Sequence, residues 1–502
     1  MSPGLPRRAF YLALGATLVF RLWLSARLPV TADEAYFILW GRRPDLGFYD
    51  HPPMIGWLLA PLVALSNADW VARLPVTVLP ALTALMVRAS ILRWFGKERE
   101  VADLAGLAVL LVPLNVWGVL VTTDTPLILF SVASMVLFAR AAQQGSLPLF
   151  VASGAALGLA FLSKYFAVLL GVGYVAWAIA SPGAPRRWSG PLAALAAAVP
   201  FGLVNLWWNL DACWCNVMFN AINRHEGAGW SVLTPALYLA ALAYLAAPLL
   251  WAAWRERSGL ADSARAQPHV RVLVLAWLVP LAVFALLSPI RRIGLHWLLS
   301  FVPALILTAA LAMDRARLAG IVRFFAWFGA LHAVAIGIAV ALPLDTWKST
   351  SFYGRTTFPG RAQELLDGIR PQFPAHVIAA DSYASAALFA YYARDAVPVF
   401  GMGTSHARQD DLATDWRAYA GKDFVILRRE APAAGEYAPY FREVEVRKVP
   451  LGGGTYHAVI GKQFRYEAYR SGVLAAVKDR FYRIPRWLPV RRCYFFERYF
   501  AQ

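Results

Sequence analysis

Cysteine and charge are both scarce in this chain. Three cysteines in 502 residues, Cys213, Cys215 and Cys493, cannot make the framework of a disulfide-rich domain. Cys213 and Cys215 stand too close for an unstrained bridge, so free thiols are the expectation. Only 16% of the residues are charged and 59% are hydrophobic, which excludes an ordinary water-soluble enzyme. Acidic residues are the scarcer sign, 30 against 48 Lys and Arg, for a formal net charge of +18. In a chain embedded in lipid this excess reports the positive-inside bias and contact with anionic lipid rather than nucleic acid. No convincing small-x-small cleavage site follows Ala9–Leu24, so the basic start and this apolar run read as an uncleaved first helix. No internal repeat, low-complexity segment or nucleotide-binding glycine loop is evident.

What is present is a series of apolar windows, each about 20 residues long. They predict about eleven transmembrane helices near 9–28, 70–93, 101–121, 125–140, 148–163, 165–181, 189–209, 233–254, 271–288, 295–313 and 323–343. Residues 54–66 are apolar but too short to span, and read as an interfacial or re-entrant helix. With a cytoplasmic N-terminus, the basic loops at Arg93/Lys97/Arg99, Arg140, Arg186/Arg187, Arg255/Arg257/Arg265 and Arg315/Arg317/Arg323 all fall inside. Asp33-Glu34, Asp50-His51, Asp124, Lys164, residues 209–232, Arg291/Arg292 and everything after 343 then lie outside the cytoplasm. Basic groups against the topological bias, at Arg42/Arg43, Lys164, Arg224 and Arg291/Arg292, need another reason, and a membrane-bound phosphate supplies one.

The composition changes near residue 344. Residues 344–502 contain no 18-residue apolar run but do contain short β-type runs at 376–380, 396–400 and 423–427, with a helical stretch at 382–394. The expected fold is therefore a polytopic α-helical membrane domain, 1–343, whose outer loop 29–69 carries the active site. An extracytoplasmic α/β domain, 344–502, follows it. Its last stretch interleaves Arg480, Arg483, Arg486, Arg491 and Arg492 with aromatics. That pattern suits either a headgroup interface or a tail packed on its own domain.

Adjacent carboxylates at a membrane edge are costly unless they do chemistry, which makes Asp33-Glu34 the leading catalytic candidate. On a helix the two point about 100° apart, so one reacts and the other supports or caps. The plain alternative is that Asp33 merely caps a helix over Glu34–Arg42. Asp50-His51-Pro52-Pro53 adds a titratable pair fixed by two prolines. Asp124 opens a span at Thr122-Thr123-Asp124-Thr125-Pro126, where it is either catalytic or part of a helix start. Lys164 lies between two apolar halves and either snorkels or faces an anionic headgroup. Arg291 and Arg292 at a helix start oppose the macrodipole unless an anion sits there, and His296 would share a face with Arg292. Arg224, His225 and Glu226 form a polar patch suited to a sugar. The one cofactor these residues leave open is a divalent ion on Asp33, His51 and Asp124 with Asp50, although no spacing is a ligand signature.

Taken in order, Asp33-Glu34, Asp50-His51-Pro52-Pro53, Asp124-Thr125-Pro126 and Leu162-Ser163-Lys164 resemble the GT-C lipid-linked glycosyltransferases. That group holds the protein O-mannosyltransferases and the bacterial lipid A aminoarabinose transferases. The latter carry Glu-Lys-Pro-Pro where this chain has Asp50-His51-Pro52-Pro53. The resemblance covers roughly residues 1–343. It implies an inverting transfer of one sugar, from a polyprenyl-phosphate donor to a lipid, glycan or protein acceptor, at the outer face of a bacterial inner membrane. Asp33 is then the base, with Glu34 and Asp124 beside it in catalysis. Lys164, Arg291, Arg292 and His296 hold the donor phosphate, and Asp50, His51, Arg224, His225 and Glu226 meet substrate. A polyprenyl-dependent polymerase or ligase is the nearest alternative. A secondary transporter is disfavoured by the missing repeat and by charges at the membrane edges.

Overall fold

The computed structural model describes residues 5–225 and 229–500, apart from the side chains of residues 351, 352, 354 and 355. It divides into two compact units, and these do not follow the linear change of composition. The first comprises Met1–Arg27, Asn67–Val204 and Gly227–Ala341; the second gathers Leu28–Ser66, Asn205–Glu226 and Leu342–Gln502.

The first unit is helical. Among the described residues eight helices are long and apolar enough to cross a membrane: Leu5–Arg27, Asp69–Arg93, Asp124–Gln144, Ser189–Asp211, Leu233–Arg255, Pro268–Leu287, Leu295–Ala312 and Arg315–Ala341. The chain is a multi-pass membrane protein. The expected count of about eleven is not confirmed by these eight, because several of the expected apolar windows fold as shorter helical pieces. The window at 101–121 divides into Arg99–Leu111 and Pro113–Trp117, where Pro113 has no N–H to continue the first piece. The windows at 148–163 and 165–181 become Leu147–Ser163 and Ala167–Ala180, of 17 and 14 residues, separated by an extended Lys164.

Two packing details place the chemistry of this unit. The buried Arg21 guanidinium donates to the carbonyls of Asn115 at 2.9 Å and Gly118 at 3.1 Å, and also to that of Val76. It thereby ties down the segment that leads into Asp124. Gly154 lets the helix Leu147–Ser163 approach the Ala194 backbone, since a Cβ there would sit 2.0 Å from the Ala194 carbonyl oxygen.

The second unit is built on a four-stranded sheet: β1 (Val377–Ala380), β2 (Phe424–Arg428), β3 (Glu443–Leu451) and β4 (Gly454–Lys462), in the order β1-β2-β4-β3. β1 runs parallel to β2, and the other pairs are antiparallel. The helical stretch expected at 382–394 is the helix Tyr383–Ala393. The run at 396–400 forms no strand, only a bridge from Val399 to Ala380. The hairpin β3–β4 was not anticipated. β3 is a charged edge strand, and Pro450 is tolerated there because an edge leaves N–H groups unpaired in any case. Gly452 and Gly453, both at positive φ, make the tight turn into β4. The apolar 54–66 segment folds as a 12-residue helix, Met54–Leu65.

Cys213 and Cys493 form a disulfide across 280 residues, and Cys215 is buried and free. The expectation of three free thiols is thus corrected: Cys213 is bonded to neither neighbour but to a residue brought to it by the fold. The C-terminal tail packs on its own unit, with Tyr482 stacked on Phe495 at 4.4 Å and the Pro489 carbonyl accepting from the Trp214 indole at 2.7 Å. Arg483, Arg486 and Trp487 stay exposed. Alkylation of the denatured, unreduced protein is expected to label one of the three cysteines, and all three after reduction. Mass spectrometry of the intact chain reads the difference, and three labels before reduction would contradict the bridge.

Candidate active site

The second unit holds the acidic pair. Thr31 is the N-cap of the helix Ala32–Arg42 and Glu34 completes a capping box. The Thr31 N–H donates to Glu34 Oε2 at 3.0 Å, the Thr31 hydroxyl donates to the same oxygen at 3.1 Å, and the Glu34 N–H returns a bond to Thr31 Oγ1 at 3.4 Å. Two of the free donors of the first turn are thus satisfied. The reading of Asp33 as the cap is corrected: Asp33 is exposed, and its Oδ1 accepts from the Tyr383 hydroxyl at 3.2 Å. Glu34, which is 1% exposed, is the residue that completes the cap. Glu34→Ala is expected to cost about 0.5–2 kcal/mol of stability through the lost cap. A lower thermal midpoint, with less loss of activity than Asp33→Asn causes, would bear this out.

Tyr383 had no local signal in the sequence, because it lies 350 residues from Asp33. It begins the helix Tyr383–Ala393, and Arg42 fixes that helix beside Ala32–Arg42. The Arg42 guanidinium donates to the carbonyls of Ala390 at 3.4 Å and Tyr391 at 3.3 Å and lies over the Tyr391 ring. Burial, followed by the Asp33 charge, pushes the Tyr383 hydroxyl well above its ordinary range, so it stays protonated and donates.

Asp50 is buried and accepts from the Tyr36 hydroxyl at 3.3 Å, while His51 Nδ1 lies 3.4 Å from its other oxygen. Tyr36 also packs edge-on against Tyr383, with ring centroids 5.9 Å apart. Asp33 and Asp50 are therefore joined through two tyrosines. Arg224 donates to Asn220 Oδ1 at 3.2 Å and His225 Nε2 lies 2.8 Å from the Asn220 carbonyl oxygen. Glu226 lies outside the described residues. His406, which the sequence did not flag, packs on Phe219. Burial and then Arg224 depress its pKa, while Asp50 and Asp33 pull it upward.

The first unit holds the remaining candidates. Lys164 Nζ donates to both oxygens of Asp124, at 2.8 and 2.9 Å, and the Thr122 hydroxyl adds a third bond at 2.9 Å. His296 Nε2 stands 3.9 Å from Asp124 Oδ2. Both partners of the ion pair are nearly closed off from solvent. Lys164 does not snorkel; it turns inward and lies over the Phe166 ring. The span after Arg291 and Arg292 begins only at Leu295, its first piece ending at Leu299, so Arg292 lies outside it and does not share a helical face with His296. Arg292 is exposed, and the Arg291 N–H bonds the Leu287 carbonyl at 2.9 Å.

Among the described residues no group of three His, Cys, Asp or Glu side chains is placed to hold a metal ion. The expected set of Asp33, His51 and Asp124 with Asp50 is corrected accordingly. Asp124 pairs with Lys164, and Asp50 accepts from Tyr36.

Residues 50–208 match the family model of dolichyl-phosphate-mannose-protein mannosyltransferases. ArnT from Cupriavidus metallidurans, crystallised with undecaprenyl phosphate, superposes with a TM-score of 0.61 at 16% identity over 89% of this chain and 97% of that one. The fold is that of ArnT. The apo form of the same ArnT superposes at 0.62. Over 295 residues the chain is 28% identical to the lipid A galacturonosyltransferase RgtD of Rhizobium johnstonii, a match covering 54% of this chain and 58% of that protein. Asp50, His51, Asp124 and Lys164 fall inside the family match, whereas Asp33 and Arg291–His296 lie outside it.

Proposed function

We propose that this chain transfers a single sugar from a polyprenyl-phosphate donor to an acceptor hydroxyl outside the cytoplasm of a bacterial cell, with inversion at the anomeric carbon. The observation that carries the reading is Asp33: the capping work of its helix is done by Thr31 and Glu34, and Asp33 is left exposed under a single hydroxyl donor. The GT-C fold supports the reaction class, and RgtD, named for lipid A, favours an acceptor that is itself a lipid-linked glycan.

In this reading the Asp33 carboxylate takes the proton from the acceptor hydroxyl. The acceptor oxygen bonds to the anomeric carbon from the face opposite the phosphate, and the carbon–oxygen bond to phosphate breaks. Polyprenyl phosphate leaves with that electron pair. A single carboxylate base with displacement from the opposite face gives inversion. Tyr383 keeps the carboxylate oriented, and Arg291, Arg292 and His296 supply positive charge for the phosphate. Lys164 contributes through its pair with Asp124.

Two features support placement of the second unit outside the cytoplasm. The basic loops follow the positive-inside rule, and the Cys213–Cys493 disulfide is of a kind that persists in oxidising compartments. The test is a product assay with purified protein, a panel of polyprenyl-phosphate sugars and lipid A-type acceptors, with and without chelator. One added sugar of inverted configuration, insensitive to chelator, is the expected outcome. Products carrying several donor units would favour a polymerase, and no transfer from any donor would sink the proposal.

A further inference from the structure

The sheet unit contains a cavity of about 450 Å³, within the range of sites that enclose small ligands. Asp381, Tyr383, Thr404, His406, Arg428 and Glu436 contribute to its wall. None of the motifs singled out in the sequence falls here.

Its chemistry is that of a polar receptor with little net sign. Arg428 donates to Glu436 Oε1 at 2.7 Å and to the Tyr437 hydroxyl at 2.9 Å, and its Nε stands 3.7 Å from Asp381 Oδ2. A guanidinium held between two carboxylates presents fixed donors and acceptors side by side, which suits vicinal hydroxyls better than a strong anion or cation. Tyrosine rings in the lining add amphipathic faces for the C–H side of a sugar. The loop over the cavity is shaped for close backbone approach: Gly401 has φ +104° and Gly403 φ +59°. Arg408 holds that loop, donating to the carbonyls of Met402 at 2.7 Å and Thr404 at 2.9 Å, and is itself paired with Asp411.

The cavity also touches the catalytic candidate. Tyr383 is both part of its wall and the donor to Asp33 at 3.2 Å. His406, on the same wall, feels the charges of Asp33 and Asp50. Tyr383 thus links the cavity wall to the candidate base through one hydrogen bond. We infer that this cavity is the acceptor's saccharide subsite, which binds a neutral or weakly charged glycan unit and presents its hydroxyl to Asp33 past Tyr383. The inference rests on the transferase reading for the word acceptor, and on the cavity alone for the word saccharide.

Two variants test it in the full-length protein. Arg428→Gln removes the central donor, and Thr404→Trp fills the cavity from a surface loop, so failure of one to fold leaves the other. Binding of a panel of soluble neutral, amino and uronic disaccharides is measured by calorimetry in detergent. At least one is expected to bind wild-type protein and to bind both folded variants at least about tenfold more weakly. In the transfer assay the acceptor KM is expected to rise about tenfold or more while the donor KM stays within about twofold. No disaccharide binding to wild-type protein, or binding unchanged in both variants, overturns the subsite. Disaccharide binding lost in the variants, with no transfer from any donor, keeps the saccharide site and removes the transferase reading. A raised donor KM with an unchanged acceptor KM assigns the cavity to the donor sugar and overturns the inference as stated.

Discussion

Asp33→Asn is expected to lower sugar transfer by about a hundredfold to ten-thousandfold while the protein still folds and binds polyprenyl phosphate. The amide keeps the size of the side chain and still accepts from Tyr383, so the contact between the helices Ala32–Arg42 and Tyr383–Ala393 survives. What it loses is the capacity to take a proton. The cap also survives, because Thr31 and Glu34 carry it. Transfer kinetics, thermal unfolding and native mass spectrometry with polyprenyl phosphate separate these effects. Near-normal turnover would remove Asp33 from the mechanism. Tyr383→Phe is expected to be milder, lowering kcat about tenfold, since the base remains and only its orientation loosens. A change confined to stability would make Tyr383 structural.

Lys164→Ala is expected to be as damaging by a different route. The Asp124 side chain is 4% exposed and that of Lys164 11%. Removing the ammonium leaves a carboxylate out of water, with the Thr122 hydroxyl and a histidine at 3.9 Å. Breaking a buried pair from one side typically costs about 3–5 kcal/mol, a large share of the stability of any protein. The expected result is a markedly lower thermal midpoint together with lost transfer. The double variant Asp124→Asn, Lys164→Met removes both charges and is expected to recover stability but not transfer. A single variant that unfolds normally and turns over normally would show that the pair is dispensable. If the double variant recovered both properties, the pair would be purely structural.

The parts of the site that could be read in the sequence are those whose residue type is out of place. A carboxylate pair, an aspartate before a proline and a lysine between apolar halves stand out against 59% hydrophobic residues without any knowledge of the fold. Tyr383 does not, because it is one tyrosine among 20 and acquires meaning only through Arg42 and the helix it anchors. The ion pair of Asp124 with Lys164 was hidden for the same reason: 40 residues separate the two, and each alone reads as a group aimed at substrate. The layout of spans was legible from hydropathy except at Pro113 and Lys164, where backbone geometry rather than composition ends a helix. β3 escaped notice because an exposed edge strand alternates charge with valine and carries little apolar weight.

The Cys213–Cys493 bridge sets an order on biosynthesis. The sheet unit is gathered from residues 28–66, 205–226 and 342–502, and its covalent clasp joins the second of these to the end of the third. With the second unit outside the cytoplasm, as proposed, a growing chain must hold the Cys213 thiol unspent through four further apolar helices of translation, past a nearer competitor at Cys215, until residue 493 emerges. The acidic loop at Asp33 is made first and sealed in place last, so maturation of this protein is a property of the finished chain.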